Sequence, residues 1–262
     1  MPARLRAAAV SNVGEFRRIN QDAAFAASWA AGVADGVGGG PAGDLASAAL
    51  VHRVTSGRPA MRDAEQLGAR LRWANWDLAA HTRRDPALEG MATTYTGLWF
   101  TQAGMLLLAH TGDSRAYLLR DGVLSRQTRD DSLVQAMVDQ GLLSPEEAAV
   151  HPRRNVITAS LGGHEEDGVA VAELQPRLGD RWLLCSDGIS DYVPHDELER
   201  LLQLAPSPER AADWVVRVAL DAGTRDNATA VVCDIVEGEL LADLPMFAGA
   251  AAERFVEGLE SA

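Results

Sequence analysis

The chain contains no lysine: its 24 basic residues are all arginine, set against 37 acidic ones, for a formal charge of −13 over 262 residues. A balance of that sign leaves no basic footprint for nucleic acid or acidic lipid. Arginine is the better planar fork for phosphate, yet an acidic chain that gripped phosphate by arginine alone would face a repulsive field. Metal cations would relieve it, so the charge balance favours a metal site. Cysteine is nearly absent. Cys185 and Cys233 lie in the apolar runs Trp182 to Cys185 and Ala230 to Ile235. They read as small buried hydrophobes in a reducing compartment, which excludes a disulfide frame or a zinc site. Long apolar runs are missing too, since none approaches the ~18 residues that span a bilayer. Arg4 and Arg6 are followed only by the short run Ala7 to Val10, which is no signal-peptide pattern. A cytoplasmic monomer is expected, bound to neither membrane nor nucleic acid.

What is present can build a sizeable core. The hydrophobic share is 47%, enough for one large core or two small ones, with no internal repeat or low-complexity linker to divide it. From Ala64, the positions Leu67, Leu71, Ala74 and Leu78 fall on one helical face. Ser144-Pro145-Glu146-Glu147 offers an N-cap serine, a first-turn proline and a capping-box glutamate, and Ser207-Pro208-Glu209 repeats the first three elements. The helix begun there should stop near Gly223.

Strand signals alternate with these helices. Thr94 to Thr101 is rich in β-branched and aromatic residues, Met105 to His110 and Ala116 to Leu119 are apolar, and Asp121-Gly122 is a hairpin turn leading into Val123-Leu124. Trp182 to Cys185 and Ala228 to Val236 complete the set. Strands in adjacent pairs with helices in separate blocks predict antiparallel sheets covered by helices, not a doubly wound parallel sheet. Beyond the last strand, from Glu237, the chain carries six acids against one arginine, and either an acidic tail or an extra helix is expected.

Four aspartates recur in one setting. Asp35 follows Gly32-Val33-Ala34, Asp113 follows Leu106 to Gly112, Asp187 follows Trp182 to Ser186, and Asp226 precedes the strand from Ala228. Each stands at the edge of an apolar strand beside glycine or asparagine. Strand ends aim side chains from a rigid scaffold, and glycine lets the backbone approach a ligand. Asp-Gly by itself is a turn signal, but four such settings argue against coincidence. Unpartnered carboxylates brought together would raise one another's pKa, and hard divalent cations such as Mg²⁺ or Mn²⁺ resolve that conflict.

The ordered motifs resemble the PPM, or type 2C, metal-dependent serine/threonine protein phosphatases in their compact bacterial form. Ser11-Asn12-Val13-Gly14-Glu15-Phe16-Arg17-Arg18-Ile19-Asn20-Gln21-Asp22 is similar to the family's S-x-x-G-x-x-R-x-x-N-x-D opening. Val33-Ala34-Asp35-Gly36-Val37-Gly38-Gly39 resembles V-A-D-G-x-G-G, and Gly112-Asp113-Ser114-Arg115 resembles G-D-S-R. His151 to Thr158, Leu184 to Gly188 and Asp226-Asn227 finish the series, which runs over roughly residues 7 to 236. No single fragment is specific; the ordered set is.

The resemblance implies an α+β fold: a four-layer α-β-β-α sandwich, with two mainly antiparallel sheets flanked by helices. Residues 1–236 would form the catalytic domain and 237–262 the acidic C-terminal tail. Asp35 would bridge two metals, with the Gly36 carbonyl on one of them. Asp187 and Asp226 would hold the first metal, Asp22 would act on the second through water, and Asp113 would join Asp187 at a third. The cofactor would be two to three Mn²⁺ or Mg²⁺ ions. A bridging hydroxide would attack phosphorus directly, and Arg17 would hold the phosphate as a bidentate fork. Substrates would be proteins phosphorylated on serine or threonine by a bacterial kinase. Ser114 and Arg115 would support the turn at Asp113, and Asn227 would orient its loop. A flap is expected around Arg153 to Asp167.

Some positions depart from the family pattern. Gly40 and Val37 stand where members carry histidine. Ala92-Thr93-Thr94 replaces G-T-T, Asp130-Asp131-Ser132 replaces D-H-S, and Ala159 replaces an arginine. No metal ligand is lost, but the departures weaken any assignment of a general acid: His110 and His151 are the nearest alternatives in sequence, and without one the leaving group would take its proton from water on the metals. A non-catalytic module that binds phosphopeptides or a kinase, and a hydrolase of small phosphoesters, stand as alternative readings.

Overall fold

A computed structural model describes residues 2–37, 42–57 and 60–258. Gly38, Gly39 and Gly40 of the second motif, and 259–262 of the C-terminal segment, lie outside the described residues. In chain order the elements begin with β1 (Ala3–Asn12), β2 (Asp22–Ala26), β3 (Ala30–Asp35), α1 (Gly43–Thr55) and α2 (Ala64–Arg84). There follow β4 (Tyr95–Phe100), β5 (Leu106–Thr111), β6 (Arg115–Arg120), β7 (Val123–Arg126), α3 (Leu133–Asp139) and α4 (Pro145–Ala149). The last third supplies β8 (Ala170–Leu174), β9 (Arg181–Cys185), α5 (Asp187–Ser190), α6 (His195–Leu204), α7 (Pro208–Asp221), β10 (Ala228–Glu237), β11 (Met246–Gly249) and α8 (Ala250–Gly258).

The strands form two sheets, one ordered β1-β10-β9-β6-β7 and the other β11-β2-β3-β4-β5-β8. Every ladder between these strands is antiparallel. The α+β sandwich expected from the sequence is the architecture found. Three apolar clusters alternate with the layers, and β10 shows why. Successive strand residues point to opposite faces. Ala230 and Val232 pack among residues of α6 and α7, while Val231, Cys233 and Ile235 pack against Ala31 and Val33 of the other sheet. Both faces are buried, so the strand reads as an unbroken apolar run. On the far side, Leu67, Leu71, Ala74 and Leu78 of α2 join Trp99 and Leu107 beneath the second sheet.

Local sequence explains the boundaries. Asp63 caps α2 by accepting from the Gln66 N–H at 2.8 Å. Ser144 and Glu147 complete the capping box of α4, and Ser207 caps α7. Gly223 follows α7 with φ 79°. Asp121 and Gly122 both have positive φ, 54° and 79°, as a two-residue hairpin that matches strand twist requires. Both cysteines are free and buried, and burial pushes the Cys185 thiol up to about 12.

The chain does not break at residue 236. β10 runs on to Glu237, and the following segment returns to the second sheet, where β11 pairs with the edge of β2. Asp243 accepts from the Ser28 N–H at 3.0 Å and from its hydroxyl at 2.6 Å. α8 packs on α1, and Arg254 donates to Asp44, Nε to Oδ2, at 2.6 Å. Sequence reading left a tail or an extra helix open here; α8 is that helix, while the edge strand β11 is only four residues long and gave no signal. Of the acids that suggested a solvated tail, Asp243 is an acceptor that ties the segment to Ser28.

Candidate active site

The β1–β2 loop is held in shape by buried amides. The Asn227 side chain accepts from the Gln21 N–H at 2.8 Å and donates to the carbonyls of Val13 and Ile19 at 2.9 and 3.2 Å. Asn20 donates to Ser11 Oγ at 2.8 Å and accepts from the Asp22 N–H at 3.2 Å. These bonds fix the loop that carries Arg17. Asp22 begins β2 and lies directly across the ladder from Asp35, which ends β3. Thr94 anchors Asp35: Oγ1 accepts its N–H at 3.0 Å, and the Thr94 N–H donates to its carbonyl at 2.8 Å.

The remaining acids arrive from three other strand ends. Asp113 follows Gly112, whose φ of 100° leaves no room for a side chain, since a Cβ there would sit 2.5 Å from Thr94 Cγ2. Ser114 Oγ shares a hydrogen bond of 2.8 Å with Thr94 Oγ1. The Arg115 fork grips Asp130 at 3.1 Å from Nε and 2.8 Å from Nη2, both to Oδ2. Both residues support the turn at Asp113. Asp187 opens the short helix α5, and Asp226 precedes β10, accepting from Arg17 Nη2 at 2.6 Å.

Arg17, Asp35, Gly36, Asp113, Asp187 and Asp226 line one cavity of about 150 Å³, together with Val37, Thr94, Asn155 and Ile157. Asp22 is buried behind them and accepts from Ser186 Oγ at 2.7 Å. All seven residues singled out by the sequence therefore meet around this cavity or directly behind it. A roomier cavity of 880 Å³ between α1, α2 and the segment before β11 has, among the described residues, only one carboxylate, Asp77, on its lining.

Electrostatics in the cavity is dominated by burial and like charge. Burial, then the carboxylates of Asp22, Asp187, Asp113 and Asp226, holds Asp35 well above the usual carboxylate range. Burial, then Asp113, Asp226 and Asp191, does the same to Asp187. Burial pushes Asp113 up to about 7, with Asp130 and Asp191 adding to it. Asp22 rises to about 6 through burial, restrained by hydrogen bonds from Thr229 and Ser186. Burial works against the Arg17 cation. The hydrogen bond to Asp226 and the surrounding carboxylates outweigh it and raise its pKa.

The donor set fits a hard divalent cation in its chemistry. It is all oxygen, it repels itself, and Asp187 Oδ1 is buried with no hydrogen-bond partner among the described residues. The oxygens surround the cavity rather than converge: among the described residues no three His, Cys, Asp or Glu side chains form a group that could hold an ion as they stand.

Sequence reading missed Asp191. It lines an adjoining 360 Å³ cavity with Asp113, Asp187 and Arg154, and it stands four residues after Asp187, a spacing that shares a helical face. It also missed Asn155 and Ile157. Among the described residues no histidine lines the smaller cavity. His110 is engaged at both ring nitrogens, by Thr96 Oγ1 and the Arg129 carbonyl, each at 2.9 Å. His151 Nδ1 accepts from the Arg153 N–H at 3.1 Å.

The segment expected as a flap is pinned at its far end by α2. Asn75, buried on that helix, accepts from the Gly163 N–H at 2.8 Å and donates to the His164 carbonyl at 2.9 Å. Between Asn75 and the cavity, Leu161 bridges to Thr93, whose hydroxyl donates to the Asp35 carbonyl at 2.9 Å. Asn75→Ala is expected to destabilise the fold by about 2 kcal/mol, because two backbone groups lose a partner. Urea unfolding measures the loss, and limited proteolysis should show faster cutting near residues 163–167.

The family model described as protein phosphatase 2C matches residues 17–222 of this chain. The chain is 42% identical over 250 residues to the serine/threonine protein phosphatase PstP of Mycobacterium tuberculosis, an alignment covering 94% of this chain and 48% of PstP. It thus spans about half the length of that relative. The serine/threonine phosphatase stp of Listeria monocytogenes is 33% identical over 209 residues, covering 77% of this chain and 82% of stp. A solved structure of the PstP catalytic domain in complex with two manganese ions superposes with a TM-score of 0.82 at 39% identity, covering 90% of this chain and 100% of that one.

Proposed function

Because the chain belongs to the protein phosphatase 2C family, we propose that it hydrolyses phosphoserine and phosphothreonine in proteins, with two to three Mn²⁺ or Mg²⁺ ions. The observation that carries this reading is the single cavity lined by Arg17, Asp35, Gly36, Asp113, Asp187 and Asp226. The manganese-bound PstP domain supports the choice of cofactor.

Asp35, the Gly36 carbonyl, Asp187 and Asp226 would hold two ions, and Asp113 with Asp187 a third. Such ions supply a water acidified enough to serve as a nucleophilic hydroxide near neutral pH. Asp22 would act one layer back: its bond to Ser186 and its ladder position opposite Asp35 suit a residue that orients others. Arg17 would carry the phosphate. Its charge is secured by its surroundings, its side chain is 39% exposed, and a planar fork matches two phosphoryl oxygens. With no histidine on the lining among the described residues, the leaving group would take its proton from water held by the ions.

Purified protein should release p-nitrophenol from p-nitrophenyl phosphate in Mn²⁺, and excess chelator should abolish it. Arg17→Ala should lower kcat/KM by about 10²-fold, the usual scale for one lost oxyanion donor. A phosphoesterase indifferent to Mn²⁺ would contradict the reading. Kinase-phosphorylated proteins of a bacterial cell are the proposed substrates, with a cytoplasmic monomer as the acting form. No helix among the described residues is long and apolar enough to cross a membrane.

A further inference from the structure

The cavity of about 150 Å³ is the size of roughly five waters at about 30 Å³ each. A space of that size would take a phosphoryl group and a few waters, so the rest of a polypeptide substrate would lie outside it. Phe16 and Ile19 bracket the lining residue Arg17 and are 59% and 57% exposed; Val156, between the lining residues Asn155 and Ile157, is 45% exposed. Scattered exposed apolar residues are ordinary. Three within two residues of a lining residue, on two of the segments that line one pocket, are the pattern of an interaction patch.

Charge on the rim points the same way. Arg225 places its guanidinium 5.6 Å from the centre of the Phe16 ring, holding that ring in place by a cation–π contact. Arg18, Arg153 and Arg225 are exposed, and none has an ion-pair partner among the described residues. On a chain of net charge −13, unpaired arginines beside exposed apolar side chains suit an anionic segment with apolar neighbours.

We propose that Phe16, Ile19 and Val156 form a specificity rim that binds bulky aliphatic side chains flanking the phosphorylated residue of a partner protein. The inference rests on the phosphatase reading but adds a preference which that reading does not contain. The occupant is a phosphorylated polypeptide segment because Phe16 and Val156 adjoin the lining residues Arg17, Asn155 and Ile157 in the chain, and Phe16 contacts Arg225, the neighbour of Asp226, in the cavity that would take its phosphate.

Two phosphothreonine heptapeptides test it, one with leucine on both sides of the phosphoresidue and one with alanine. With Mn²⁺, phosphate release should show about a tenfold kcat/KM advantage for the leucine peptide. Phe16→Ala/Ile19→Ala should cut that advantage to about twofold, as should Val156→Ala, and Phe16→Leu should restore most of it when introduced alone with Ile19 intact. Equal rates in the parent protein, or a tenfold preference that survives Phe16→Ala/Ile19→Ala, overturns the proposal while leaving the phosphatase assignment standing. If neither peptide nor p-nitrophenyl phosphate is hydrolysed, the phosphatase reading fails. The rim is then judged by anisotropy of the fluorescein-labelled peptides: tighter binding of the leucine form, lost in the double variant, supports it, and equal binding overturns it.

Discussion

Asp35→Asn is expected to reduce Mn²⁺-dependent hydrolysis at least about 10³-fold while making the metal-free protein more stable at pH 8. The two effects share one cause. Asp35 is partly buried opposite Asp22 and is acted on by the charges of Asp187, Asp113 and Asp226. As a carboxylate it is costly unless a cation answers it. Asparagine keeps the shape and removes the charge, so the fold gains what the site loses. On the catalytic side, a lost bridging ligand forfeits several kcal/mol of charge stabilisation, and each 1.36 kcal/mol is a factor of ten in rate. On the stability side, a gain of about 1 kcal/mol would raise Tm by roughly 2–4 °C in a chain of this size. Steady-state kinetics and thermal unfolding on the same preparation check both, and a fully active Asp35→Asn protein would sink the metal-site assignment.

Saturating Mn²⁺ should raise Tm by about 5–10 °C, and by more at pH 8 than at pH 6. A ligand present at 100 times its Kd stabilises by about 2.7 kcal/mol, which at 2–4 °C per kcal/mol gives roughly that shift. The pH dependence follows from the raised carboxylates. Asp22 stands at about 6 and Asp113 at about 7, and Asp35 and Asp187 are also raised. Unfolded aspartates release their protons near 4. Between about pH 4 and 7 the folded chain therefore binds more protons than the unfolded one, and metal-free stability falls as pH rises. Mn²⁺ competes with those protons and is favoured where they have left. Differential scanning fluorimetry at the two pH values measures the gap. The same shift at both, or none, would show that these carboxylates are not the ligands.

The acids of the site were legible because strand-end turns have their own chemistry. Asp next to Gly or Asn at the edge of an apolar run marks a strand boundary and sets a carboxylate there, and Asp35, Asp113, Asp187 and Asp226 all do so around one cavity. Helices with capped starts, α2, α4 and α7, were equally plain. The strands β2 and β3 gave less away. Ala23, Ala24, Ala30 and Ala31 are all buried, but an alanine-rich strand covered on both faces shows no alternation to detect. α1 fails for the same reason, with Ala46, Ala48, Leu50 and Val51 all buried and little polar contrast around it. The edge strand β11 was hidden by its shortness and its acidic approach. Asp191 escaped because its partners lie across the cavity at Asp113 and Arg154, and only the assembled sheets bring them near.

The ladder between β1 and β10 joins residues 3–12 to residues 228–237 along its whole length. Neither strand has its partner until nearly the entire intervening sequence exists. During synthesis, which proceeds at about 5–20 residues per second from the N-terminus, β1 must wait more than ten seconds for β10 to emerge. Pairings of such high contact order form late and slowly. The waiting strand, with its run Ala7 to Val10, is an unpaired edge of the kind that other chains can capture. Asp226 arrives just before β10, and with it the support of Asn227 for the loop that carries Arg17. Growing chains therefore cannot assemble the site early, and the segment most exposed to misassociation in the ribosome-bound chain is its first strand.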